Sequence, residues 1–171
     1  RGDAQRNHSR VARRARVTAY FDTSVITKWY LPEPDSADAL RVRARFAPPA
    51  VLTHLHRIEL VTAWHLKVFR HEITRGIVEQ ALGHVEADVA AGLWELPVYD
   101  LVDVYSQAES MSRRHTAILG VRSLDILHVA AAIVLREPAI VTHDARQERL
   151  ASAACQRVTT LPARGKHRRQ A

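Results

Sequence analysis

The chain has 171 residues, 47% of them hydrophobic, and a formal net charge of +7. That length suits one domain around one buried core and excludes a second independent domain, while the single cysteine, Cys155, excludes an internal disulfide and points to a reducing compartment, the cytoplasm by default. No stretch approaches the roughly 18 apolar residues of a membrane span, and the arginine-rich start has no apolar run behind it, so neither a membrane nor a secretory protein is expected.

The charge is unevenly placed. Residues 1–16 carry six arginines against Asp3, or +5, and residues 164–171 carry Arg164, Lys166, Arg168 and Arg169, or +4, which leaves the rest at −2. Basic ends attract phosphates, but unpatterned ones read as solvated tails. The opening RGDAQRNHSRVARRAR has no apolar periodicity, and the only methionine is Met111. We therefore expect a disordered extension over 1–16, a natural start near Val17, a folded domain over 17–162 and a basic tail over 163–171.

VTAYFD, residues 17–22, is rich in β-formers and ends in an acid, and SVITKWYL after it is helix-compatible. A second helix is expected from Asp35, as N-cap, to Phe46, closed by Pro48 and Pro49. AVLTH, 50–54, is a second strand. HLHRIELVTAWHLKVFRH then repeats apolar residues at Leu55, Ile58, Val61 or Thr62, and Leu66, as one face of a helix would. A helix over about 73–91, a third strand in LWELPVY and a helix over 102–119 follow. SLDILHVAAAIVLRE is apolar almost all round, which predicts a helix buried on most sides and capped by Ser123. AIVTH, the helical DARQERLASAA and a last strand in QRVTTL complete the chain. Five strands alternating with helices predict a parallel sheet covered on both faces.

Asp22 and Asp144 fall at or just past strand ends, and Asp125 in the first turn of a helix. In an open α/β sheet those places meet at the crevice where ligands bind. Each acid alone is equally explained as a helix cap. Glu59 differs, because it lies inside a helix on the turn between Leu55 and Ala63, where a carboxylate on an apolar face needs a cation. Converging acids repel, and oxygen ligands of this kind suit Mg2+ or Mn2+, which points to metal-assisted hydrolysis of a phosphodiester. Ser24 and Thr142 stand beside these acids and are expected to orient a carboxylate or a water from behind.

AYFDTSVI, IELVTAW, SLDILHVAAA and IVTHDARQERLA, in that order, resemble the PIN domain family, in particular the VapC-type toxins of bacterial toxin–antitoxin pairs. The resemblance covers residues 17–162. It implies a three-layer α/β/α sandwich with a central, mostly parallel five-stranded sheet, and a Mg2+- or Mn2+-dependent endoribonuclease. It also implies RNA as substrate, a homodimer, and a cognate antitoxin that inserts into or covers the acidic groove. By motif, Asp22, Glu59, Asp125 and Asp144 match the family's four acids. Two departures are visible: Arg146 stands where many relatives carry another acid, and no phenylalanine follows Asp144 in the next helix turn.

The ten histidines, His54 and His56 among them, are expected on surfaces and helix faces, since HEITR lacks the second histidine of a zinc helix. His128, one turn after Asp125, reads as a packed core residue or a neighbour of that acid. Arg113, Arg114 and Arg122 are candidates for an RNA backbone; Trp29 with Tyr30, and Trp64 with Phe69, fit core or dimer packing. A haloacid dehalogenase-like hydrolase is disfavoured by Ser24 two residues after Asp22, and a receiver domain by the apolar residues before Asp22. A catalytically silent PIN-like module that binds RNA or a protein partner is the remaining alternative, although none of the four acids is missing.

Overall fold

The structure is a computed structural model that describes residues 18–154 and 156–160; the expected extension over 1–16 and tail over 163–171 lie outside the described residues. Strand β1 (Tyr20–Phe21) feeds helix α1 (Thr23–Tyr30), then α2 (Ser36–Arg43), β2 (Ala50–Val51), α3 (His54–Phe69) and α4 (Arg75–Ala90). The second half runs β3 (Trp94–Glu95), α5 (Leu101–Leu119), α6 (Ser123–Val134), β4 (Ala139–Thr142), α7 (Ala145–Ala153) and β5 (Arg157–Thr160). Helix starts follow from short polar caps: Asp22, Thr53, Thr74, Asp100 and Asp144 each accept an amide of the first turn. Helix α5 ends at Gly120, whose φ of 65° is left-handed and open to glycine without strain.

All five strands among the described residues are parallel, but they form a three-stranded and a two-stranded sheet rather than the single expected one. One runs β1-β4-β5, with Tyr20 opposite Ile140 and Phe21 opposite Val141; the other pairs β2 with β3, Ala50 opposite Trp94. β1, β2 and β3 are two residues long, so none has the length to carry hydrogen bonding across to a further neighbour. The third strand, expected over 93–99, stops at Glu95 ahead of Pro97, which has no amide to donate.

Alternation along these strands sorts side chains into two cores. Phe21, Leu52 and Val141 join Val25, Ile26, Leu60, Trp64, Val78 and Val85. Tyr20, Val51 and Ile140 join Met111, Ile126, Val129 and Leu150. Helices α1 to α4 therefore cover one face and α5 to α7 the other, the three-layer α/β/α arrangement. Each large aliphatic side chain so buried contributes about 1.5–3 kcal/mol. No helix among the described residues is long and apolar enough to cross a membrane.

Three expectations change. Helix α3 buries His56, Leu60 and Trp64, whereas Ile58 (64% exposed), Val61 and Leu66 lie outside the core. Period alone cannot rank two overlapping apolar stripes, and the indole of Trp64 decides by size, with its N–H bonded to Thr27 Oγ1 at 3.2 Å. Asp35 holds the N-cap position of α2 without a side-chain cap bond and meets Lys28 at 3.5 Å and His143 at 3.8 Å instead. That helix ends at Arg43, short of Phe46. Of the aromatics, Trp64 is core and Trp29 stacks on Trp94 at 5.3 Å, while Phe69 is exposed.

Candidate active site

The pairing of β1 with β4 builds the site. With Phe21 opposite Val141, the two parallel strands run out on the same side of the sheet, and Asp22 N donates to Val141 O at 2.8 Å. Asp22 then caps α1 and Asp144 caps α7, so both carboxylates sit where amides point outward. Asp22 Oδ2 accepts from the Ser24 amide at 3.1 Å and from the Ser24 hydroxyl, and Oδ1 accepts from Gln147 Nε2 at 3.0 Å. Gln147 is buried, so α7 reaches back to lock the acid of β1.

Asp144 Oδ1 accepts the amides of Arg146 (2.7 Å) and Gln147 (3.4 Å), and Oδ2 meets the Arg146 guanidinium at 3.2 Å. Burial pushes the Asp144 carboxyl up, but Arg146 and the two amides outweigh it and hold it below its ordinary value. Thr142 is buried and its hydroxyl accepts the Asp144 amide at 3.1 Å, so it fixes the backbone rather than a carboxylate. Asp125 accepts the Arg122 amide at 3.0 Å; the N-cap of α6 is Arg122, with Ser123 already inside the helix.

Glu59 is held from further away. Thr23 Oγ1 donates to its Oε2 at 2.6 Å, and His128 Nε2 bonds the same oxygen. Burial opposes ionisation of Glu59, but the His128 and Thr23 bonds prevail and hold the carboxyl below 4.5. His128 therefore touches Glu59 and not Asp125. His56, expected on a helix face, is fully buried, with Nδ1 accepting the Thr53 amide at 3.0 Å. Burial, then the neighbouring His128, push its pKa well below 6.5 against the Phe21 backbone.

All four acids line one cavity of about 570 Å³, together with Thr23, Ser24 and an apolar wall that includes Ile58, Leu66 and Leu124. Among the described residues no lysine or arginine lines it. Nor are three His, Cys, Asp or Glu side chains gathered there into a compact ligand set; the carboxylates share the cavity while each is engaged by protein donors. Chemically the set fits a hard divalent ion, because its charged groups are carboxylates and their oxygens are hard donors. Arg113, Arg114 and Arg122 are exposed, Arg113 pairing with Glu109. Sequence reasoning missed Thr23 and Gln147. Thr23 stands next to Asp22, but nothing in the spacing of Gln147 marks it, because its partner lies 125 residues away.

The PIN domain family matches residues 19–153, and the chain belongs to it. Members of this family are generally nucleases that use divalent metal ions. Among curated proteins no sequence relative was found. A chain in the crystal structure of FitAcB from Neisseria gonorrhoeae has the same fold, with a TM-score of 0.56 and 17% identity over 83% of this chain and 96% of that one.

Proposed function

We propose that this PIN domain is a Mg2+- or Mn2+-dependent endoribonuclease of the VapC type, the toxin of a toxin–antitoxin pair, working as a homodimer in the cytoplasm. One observation carries the reading: Asp22, Glu59, Asp125 and Asp144, drawn from four separate segments, line a single cavity with no cation among its described walls. Arg146 offsets Asp144 from outside the lining, and the carboxylates of Asp22, Glu59 and Asp125 that remain in one cavity call for a counter-cation.

Asp22 would be the anchor of the ion, since Ser24 and Gln147 fix both of its oxygens in direction. Glu59 and Asp125 would complete the charge, and Asp144, tied up by Arg146, would act at the rim. A divalent ion bound there supplies charge stabilisation to the scissile phosphoryl group and to the attacking water. The reaction adds water across a phosphodiester, breaking one P–O bond. The chain's own part is to hold the phosphate over the carboxylates while Ile58, Leu66 and Leu124 present apolar surface to flanking bases and exclude bulk water. The same acidic, apolar-walled cavity suits a basic, amphipathic antitoxin segment.

The catalytically silent alternative draws support from the engagement of each acid by protein donors and from the Arg146–Asp144 pair. Cleavage of a labelled structured RNA pool separates the readings. The nuclease reading expects Mg2+- or Mn2+-dependent cutting that EDTA stops and that Asp22→Asn lowers by roughly a thousandfold, the several kcal/mol a catalytic metal contributes. Cutting unchanged by Asp22→Asn would point to a contaminating ribonuclease, and no cutting by folded protein freed of any partner would favour the silent module.

A further inference from the structure

Glu59 is gripped by side chains from elements on both faces of the sheet. Its own helix, α3, packs with Leu60 and Trp64 into one core, whereas α6, which carries His128, buries Ile126 and Val129 in the other. Thr23 Oγ1 and His128 Nε2 both address Oε2, and no hydrogen bond to Oε1 is found among the described residues. On the far side of the imidazole, the Tyr20 hydroxyl bonds His128 Nδ1 at 2.8 Å. Tyr20 and His128 are almost wholly excluded from solvent.

We propose that His128, backed by Tyr20 and helped by Thr23, is a positioning residue that clamps Oε2 of Glu59 and so presents Oε1 to a divalent cation. This rests on the reading of Glu59 as a cation ligand. The chemistry of the chain of contacts is directional. A carboxylate only accepts, so Nε2 carries a proton toward Glu59 in either charge state of the ring. Burial keeps Tyr20 as a protonated hydroxyl, so in the neutral ring its O–H donates to Nδ1. Only a ring with nitrogens on opposite edges can join a carboxylate at one end to a phenol at the other. The His56 ring lies 4.6 Å from that of Tyr20 and 5.0 Å from that of His128, which fixes the tilt of both.

A polar chain of this kind is a poor way to gain stability, since burying its members sacrifices hydration that apolar packing would not. It is a good way to aim an oxygen. Groups that orient metal ligands from behind usually change metal affinity by about 10- to 100-fold when removed. Two substitutions separate aiming from mere filling. His128→Gln places an amide donor where Nε2 stands; His128→Asn places one nearer Nδ1 and cannot reach Glu59.

The test is Mn2+ titration of the metal-free full chain, followed by electron paramagnetic resonance, for wild type, both His128 variants and Asp22→Asn. The expected result is a loss of about 10-fold or more in affinity for His128→Asn, with His128→Gln much closer to wild type. Equal loss in both, or loss in neither, overturns the proposal. If either variant fails to fold, Thr23→Ser against Thr23→Val asks the same question of the second donor, with Ser expected to keep affinity and Val to lose it. Should wild type and Asp22→Asn bind Mn2+ alike, the carboxylate–metal reading fails on its own terms. Crystal structures of the metal-free His128 variants then decide the aiming: Glu59 held in Gln and swung away in Asn supports it, and Glu59 unmoved in both rejects it.

Discussion

Glu59 is fixed by side chains 36 and 69 residues away, whereas Asp125 and Asp144 in the same cavity are fixed by backbone amides two and three residues away. The rim acids obtain their geometry as soon as their helices form, because a helix start offers unpaired amides to any nearby carboxylate. Glu59 obtains its geometry only when β1, α1, α3 and α6 are all in place. One part of the site is thus made by local structure and another by the whole fold, and the two should respond differently to perturbation.

The sharpest contrast is expected from deleting one oxygen in the buried part. Tyr20→Phe leaves the buried His128 Nδ1 without its 2.8 Å bond, which costs about 1–3 kcal/mol in a denaturant melt. A cost below the resolution of the melt would show that the buried chain is slack, and the contrast between the parts would collapse.

Acid should find the same part next. His56 is held neutral by burial, with a folded-state pKa well below the 6.5 of the unfolded chain. Its contribution is complete above pH 6.5 and is lost as pH falls, because the unfolded state takes up the proton first. In wild type this adds a slope approaching one proton, about 1.4 kcal/mol per pH unit, starting below pH 6.5. Glu59, lowered below 4.5, adds its own loss only as pH drops under that value. His56→Gln should flatten the first segment of the stability–pH curve and leave the second. A curve unchanged above pH 5 would place the acid sensitivity elsewhere.

These two parts also mark what the sequence could disclose. Asp22, Asp125 and Asp144 were legible because strand ends and helix starts leave short-range patterns, and the same patterns yielded the order of strands and helices. Glu59 was legible as an acid out of place on an amphipathic helix, but its holders were not, since Tyr20 and His128 are 108 residues apart and no local period links them. The burial of His56 on its helix face is illegible for the same reason: it depends on rings brought in by other elements. The buried face of α3 is not legible because two apolar stripes overlap and the choice between them depends on Trp64, whose N–H bonds Thr27 Oγ1. The division of the sheet into ladders of three and two followed from strand lengths of two residues, finer than any alternation can define.

The smallest effect belongs to Arg146, and it tests whether the rim acids do more than cap. Its guanidinium meets Asp144, and its field reaches Asp125. Both partners of the ion pair are about a third exposed, and such pairs are screened by water, so Arg146→Ala should leave the melting curve close to wild type. Asp144 would keep its two amide donors and therefore its place on α7. What changes is the charge beside two carboxylates of the cavity: with the guanidinium gone, Mn2+ affinity should rise by about tenfold, the order expected for one screened unit charge a few ångströms from the ion. Asp144→Ala should do the opposite on both counts, costing about 0.5–2 kcal/mol as a lost cap and weakening the ion as a lost anion. If Mn2+ binds both variants as it binds wild type, Asp144 and Arg146 belong to the helix start alone and the cation site lies between Asp22, Glu59 and Asp125.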